Sequence, residues 1–127
     1  MITVTCNGCF DKLHSGHFFF LGYCLSRGDE LVVGINSDNY IRKNKRSTPH
    51  RSEEQRRDDL LSLCFIKDVI IFSEPDPIEF IKSVSPHVHC TGAEYVSSCK
   101  EEVTCRELGI ELVFVPRIGE WASSGAD

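Results

Sequence analysis

No apolar run in this chain approaches the roughly 20 residues that a helix needs to cross a bilayer, so no segment reads as a membrane span. Internal repeats and low-complexity stretches are missing as well, which removes solenoid and disordered-tail readings. The start, Met1-Ile2-Thr3-Val4, lacks a basic n-region and a cleavage site and reads directly as a strand, so a cytoplasmic protein is expected. Positive charge is in deficit: 14 Lys and Arg face 19 Asp and Glu, and the formal net charge of −5 argues against a general nucleic-acid binder. The seven cysteines are odd in number and fall in apparent strands and helices, against a secreted disulfide framework. Cys6-x-x-Cys9 has no second pair at ligand spacing to complete a zinc site, so reduced thiols and no protein-bound structural metal are expected.

What the chain does contain is a regular alternation. At 127 residues it is long enough for one core and too short for two, and a hydrophobic content of 41% with 26% charged residues is that of a globular domain. Strands are expected at Ile2 to Asn7, Glu30 to Asn36, Val69 to Phe72, Val88 to Thr91 and Ile110 to Val115. Helices are expected from Gly16 to Ser26, from the Ser52-Glu53-Glu54-Gln55 cap signal onward, between Pro77 and Pro86, and from Glu94 to Leu108 with Gly109 closing it. Ser37 to Arg51 is polar, basic and broken by Pro49, and reads as a loop or short helix. Strictly alternating strands and helices imply an α/β domain with a doubly wound, five-stranded parallel sheet, its ligand at the carboxyl ends of the strands.

Half of the positive charge is local. Arg42, Lys43, Lys45, Arg46, Arg51, Arg56 and Arg57 supply seven of the fourteen Lys and Arg, and such clustering in an acidic chain suits a polyanion such as a triphosphate. The most informative segment precedes it: Gly8-Cys9-Phe10-Asp11-Lys12-Leu13-His14-Ser15-Gly16-His17. It joins a strand to a helix, and residues three apart share a helix face where free amides and the dipole favour an anion.

Taken whole, Gly-x-Phe-Asp-x-x-His-x-Gly-His resembles the signature of the cytidylyltransferase-like nucleotidyltransferases, a branch of the His-x-Gly-His superfamily with a Rossmann-like fold. The resemblance covers nearly the whole chain and implies one nucleotidyltransferase domain, residues 1–127. It implies that an acceptor phosphate attacks the α-phosphorus of a nucleoside triphosphate and pyrophosphate leaves, with Mg²⁺ on the triphosphate. A phosphate monoester is already ionised at neutral pH, so catalysis rests on positioning and charge stabilisation, and the candidate residues are His, Lys and Arg.

By that resemblance His14 and His17 contact the triphosphate in the transition state, Gly16 leaves room for backbone approach, and Gly8, Cys9, Phe10 and Arg56 belong to the nucleotide-binding set. Asp11 has two readings, one near the phosphates and metal, the other orienting the turn. Lys45 is the expected loop lysine, with Lys43 behind it, and Arg56 matches the family's Glu-x-Arg at the site edge. Thr91, Gly92 and Glu94, with Tyr95, resemble the segment that surrounds base and ribose, and Trp121 is a further aromatic for stacking. Pro116-Arg117 and Ser123-Ser124 resemble the closing segment of glycerol-phosphate and choline-phosphate type enzymes, although Gly119 and Glu120 stand in swapped order. The resemblance thus favours CTP and a phosphorylated alcohol such as glycerol 3-phosphate. Asn36-Ser37-Asp38 and Gly92-Ala93-Glu94-Tyr95 equally resemble the heptose-phosphate adenylyltransferases, and a nucleotide-binding protein with weakened catalysis is a third reading. A homodimer without nucleic-acid or membrane partners is expected from the family.

Overall fold

The computed structural model describes residues 1–44, 48–95 and 98–116, with Tyr95 in backbone only. Among the described residues, strands β1 (Thr3–Gly8), β2 (Glu30–Asn36), β3 (Asp68–Phe72), β4 (Val88–Gly92) and β5 (Glu111–Val115) form one sheet in the order β3-β2-β1-β4-β5. Every pairing is parallel. The helices are α1 (Ser15–Leu25), α2 (Asp38–Asn44), α3 (Glu53–Leu61), α4 (Ile78–Val84) and α5 (Glu102–Leu108). The strand order reverses between β1 and β4, which is the switch point where such sheets take ligands.

Right-handed crossovers running in opposite directions put helices on opposite faces of the sheet. Val4, Cys6, Leu31, Val33, Ile35 and Cys90 face Leu21 and Cys24 of α1 and Leu60 of α3 in one cluster. Val32 and Phe72 face Phe80 and Ile81 of α4 and Cys105 of α5 in the other. The alternation of Leu31, Val32 and Val33 between the clusters is the two-residue strand period of a sheet buried on both faces.

One helix begins and another ends where the sequence signals it. Ser52 caps α3 through Gln55 N–H to Ser52 Oγ (3.1 Å), and Ser52 N–H donates to Gln55 Oε1 (2.9 Å), a reciprocal cap worth about 1 kcal/mol. Gly109, at φ 71°, ends α5 in a left-handed conformation that costs a glycine little.

The open reading of residues 37–51 resolves to its short-helix alternative, and one expectation is corrected. The segment after Asn36 is helical from Asp38 to Asn44, because Ser37 Oγ accepts the Tyr40 N–H at 3.1 Å and starts α2. The helix expected from Glu94 is shorter: Ala93–Tyr95 forms a 3₁₀ turn and α5 begins at Glu102. Ser98 and Cys99 are poor helix formers, and among the described residues their low propensity outweighs the periodicity that suggested one long helix.

Candidate active site

The β1–α1 turn is built around Phe10. Its backbone is at φ 49°, unusual for a residue with a Cβ, and its side chain is buried. The ring lies over Gly8, where a Cβ would sit 2.9 Å from Phe10 Cε2. The spacing Gly-x-Phe therefore records a close approach of ring to backbone. Phe10 also packs against His17, ring centroids 5.2 Å apart.

His14 is the N-cap of α1 and His17 its third residue, and the two cap each other. Gly16 N–H donates to His14 Nδ1 (3.0 Å) and His14 N–H donates to His17 Nδ1 (3.3 Å). The rings lie 3.8 Å apart between centroids. Because each Nδ1 accepts a backbone N–H, each neutral ring carries its proton on Nε2. The arrangement fixes two imidazoles, that of His17 buried, at the positive end of an 11-residue helix.

The Asp11 carboxylate reaches across the chain. Its two carboxylate oxygens accept the backbone N–H groups of His50 (2.8 Å) and Arg51 (2.9 Å), so the β1–α1 turn anchors the end of the basic segment. Arg51 in turn forms a two-pronged pair with Asp59, Nε to Oδ2 at 2.6 Å and Nη2 to Oδ1 at 3.0 Å.

Arg56, expected to bind the nucleotide, is wholly buried and engaged by protein groups. Nη1 donates to the carbonyls of Cys9 (3.0 Å) and Asn36 (2.8 Å), Nη2 to Asp38 Oδ1 (2.7 Å) and Nε to the carbonyl of Arg51 (3.1 Å). The guanidinium braces the turns after β1 and β2 and the start of α3 from beneath, which a rigid five-donor fork does well. Cys9 Sγ donates to Asn36 Oδ1 at 3.4 Å and adds to the same brace.

On the other side of the switch point, Thr91 and Gly92 end β4 and Glu94 lies in the 3₁₀ turn. The Glu94 carboxylate fills the space a Gly92 Cβ would need. Lys43 is exposed in the last turn of α2. Lys45, Arg117, Trp121, Ser123 and Ser124 lie outside the described residues.

Residue types and spacing had not singled out Glu53 as a partner of Asp38, nor the buried set Thr5, His89 and Glu101. His89 is completely buried, its Nδ1 2.8 Å from Thr5 Oγ1 and its Nε2 3.5 Å from Glu101 Oε2. Burial pushes the Glu101 carboxyl up, but the imidazole and the Cys99 thiol outweigh it and hold that carboxyl below its ordinary range. Burial, helped by the Glu101 charge, pushes Cys99 up to about 12 and Cys105 to about 11. The only sequence sign of this set is a histidine inside an otherwise apolar strand.

Fold and site together define an α/β protein whose His-x-Gly-His helix cap opens at the ligand end of a parallel sheet. The cytidylyltransferase-like family model matches residues 5–121, and the chain belongs to that family. Among curated proteins it is 38% identical over 110 residues to the bifunctional protein HldE of Aliarcobacter butzleri (strain RM4018), covering 86% of this chain and 22% of that protein. It is 44% identical over 94 residues to the bifunctional protein HldE of Helicobacter pylori (strain HPAG1), covering 72% and 20%. The chain thus spans about a fifth of the length of these relatives. Among solved structures, the lipopolysaccharide core biosynthesis protein from Thermoplasma volcanium GSS1 superposes with a TM-score of 0.75 at 29% identity, covering 93% of this chain and 97% of that one. Among the described residues no helix is long and apolar enough to cross a membrane.

Proposed function

We propose that residues 1–127 form a nucleotidyltransferase domain that moves an adenylyl group from ATP to the phosphate of a sugar phosphate. The observation that carries the reaction class is the mutual cap of His14 and His17, which fixes both imidazoles at the N-terminus of α1. An acceptor phosphate oxygen bonds to the α-phosphorus, the bond from that phosphorus to the bridging oxygen of the β-phosphate breaks, and pyrophosphate leaves. The acceptor is already an anion, so no residue need remove a proton. Donors fixed before the reaction stabilise charge growing on the phosphates at no cost in reorganisation.

Mg²⁺, where bound with the triphosphate, would neutralise part of its charge. Among the described residues no group of three His, Cys, Asp or Glu is placed to hold a metal, and both Asp11 oxygens are occupied by backbone amides. Lys45, Arg117, Ser123 and Ser124 are proposed to add phosphate contacts, and Thr91, Gly92 and Glu94 to border the base and ribose.

The choice of base follows the relatives. The HldE matches favour the adenylyltransferase side of the resemblance, and a structural neighbour named for lipopolysaccharide core biosynthesis favours a sugar acceptor. The competing transfer from CTP to glycerol 3-phosphate rests on Arg117, Ser123 and Ser124. A melting series with saturating ATP or CTP, each with Mg²⁺, tests the base, because a ligand that binds only the folded chain stabilises it by mass action. A larger rise with ATP is expected; a larger rise with CTP reverses the assignment.

A further inference from the structure

Thr5 and His89 are register partners on β1 and β4, the strands that flank the switch point. Above them, on the α4–α5 face, stands Glu101, the N-cap residue of α5, with its side chain 9% exposed. A strand position enclosed on both faces is filled most cheaply by Val or Ile. Replacing a buried polar pair with apolar residues of similar volume is often neutral or stabilising, so stability alone is a weak reason for this one. Its placement supplies a better one. Thr91 and Gly92 close β4 one residue beyond His89, with only Cys90 between, and Glu101 is where the connection leaving β4 turns into α5. The His89–Glu101 contact, 3.5 Å between Nε2 and Oε2, therefore joins both ends of the connection that begins with the segment 91–95.

We propose that His89 and Glu101 form a clasp that positions Thr91 to Tyr95 for the nucleotide, making both of them positioning residues for nucleotide affinity with no part in the chemical step. Thr5, beside it on β1, fixes the imidazole plane through the 2.8 Å contact at Nδ1. The clasp rests on the reading of 91–95 as a nucleotide-binding segment.

Two readouts test it on the full chain. Glu101→Gln keeps the side-chain shape and removes the charge that faces the imidazole. Backbone hydrogen exchange at 92–95 is expected to quicken while β1 and β2 keep their protection, and KM for ATP is expected to rise roughly fivefold with kcat unchanged. The double variant His89→Leu with Glu101→Leu, which restores apolar packing, is expected to show the same local loss in a well-folded chain. Unchanged exchange at 92–95 in both variants overturns the clasp. So does loss of protection throughout the sheet in both, which marks a purely structural pair, or a fall in kcat at constant KM. If the unaltered protein turns over no triphosphate, the proposed function falls, and the exchange data alone decide the clasp.

Discussion

Asp38 and Glu53 hold each other's helix N-termini. Glu53 Oε1 accepts the Asp38 N–H at 2.8 Å, and Asp38 Oδ2 accepts the Glu53 N–H at 3.2 Å. The two residues bracket the basic segment, so its ends are joined at one point, and the remaining Asp38 oxygen accepts from buried Arg56 at 2.7 Å.

The two carboxylates are therefore unequal. Glu53→Ala removes a helix cap and is expected to cost about 1 kcal/mol. Asp38→Ala also leaves a buried guanidinium nitrogen without its counter-charge and is expected to cost about 3 kcal/mol or more. Urea unfolding measures both, and equal losses would mean that Arg56 draws no support from Asp38.

Much of this architecture is written locally in the chain. The run Leu31 to Ile35 marks β2, expected and observed from Glu30 to Asn36, and Ser52 with Gln55 marks the start of α3, because both signals depend on neighbours in sequence. The Gly-x-Phe-Asp-x-x-His-x-Gly-His signature likewise places His14 and His17 at a helix start. Long-range pairings leave no such trace. Arg56 reads as a surface helix arginine or a phosphate ligand until the turns after β1 and β2 close over it, and Asp11 finds its partners 39 and 40 residues away. The pairing of His89 with Glu101 depends on how α5 crosses the sheet, which periodicity does not encode. The over-long helix from Glu94 arose from the reverse error, a pattern followed through residues that form helices poorly.

Gly8 tests the turn that carries the signature. Gly8→Ala places a Cβ 2.9 Å from the Phe10 ring, which is held by its own buried packing and is slow to yield. Overpacking of this kind is expected to cost about 1–3 kcal/mol and to lower turnover by displacing His17, against which the ring lies. A melting curve and a turnover measurement check it; unchanged values for both would show that the ring moves aside freely.

His14 separates capping from catalysis. Asparagine is a good N-cap but has no imidazole Nε2–H, so His14→Asn is expected to hold its melting temperature while kcat falls roughly 100-fold. Retained turnover would confine His14 to a capping role. His17→Ala is expected to lose at least as much in kcat, with a smaller effect on nucleotide binding.

Acid stability reports on Glu101. Its folded carboxyl lies below the ordinary range, so as pH falls the unfolded chain takes up a proton first. The resulting stabilisation is complete above the ordinary glutamate value near pH 4.3 and is lost as pH drops through the folded value. Glu101→Gln is expected to flatten the decline in unfolding free energy below about pH 5. An acid limb identical to that of the unaltered chain would contradict the contact with His89.

The central claim is transfer of an adenylyl group to a phosphate acceptor, and the most direct measurement is label transfer from ATP carrying ³²P at the α-position, run with Mg²⁺ against a panel of sugar phosphates and glycerol 3-phosphate. The account predicts that label appears in a nucleotide-linked sugar with one pyrophosphate released per transfer, and that the same panel run with α-labelled CTP gives far less. Label that stays with the nucleotide for every acceptor, or that moves only from CTP, would contradict it.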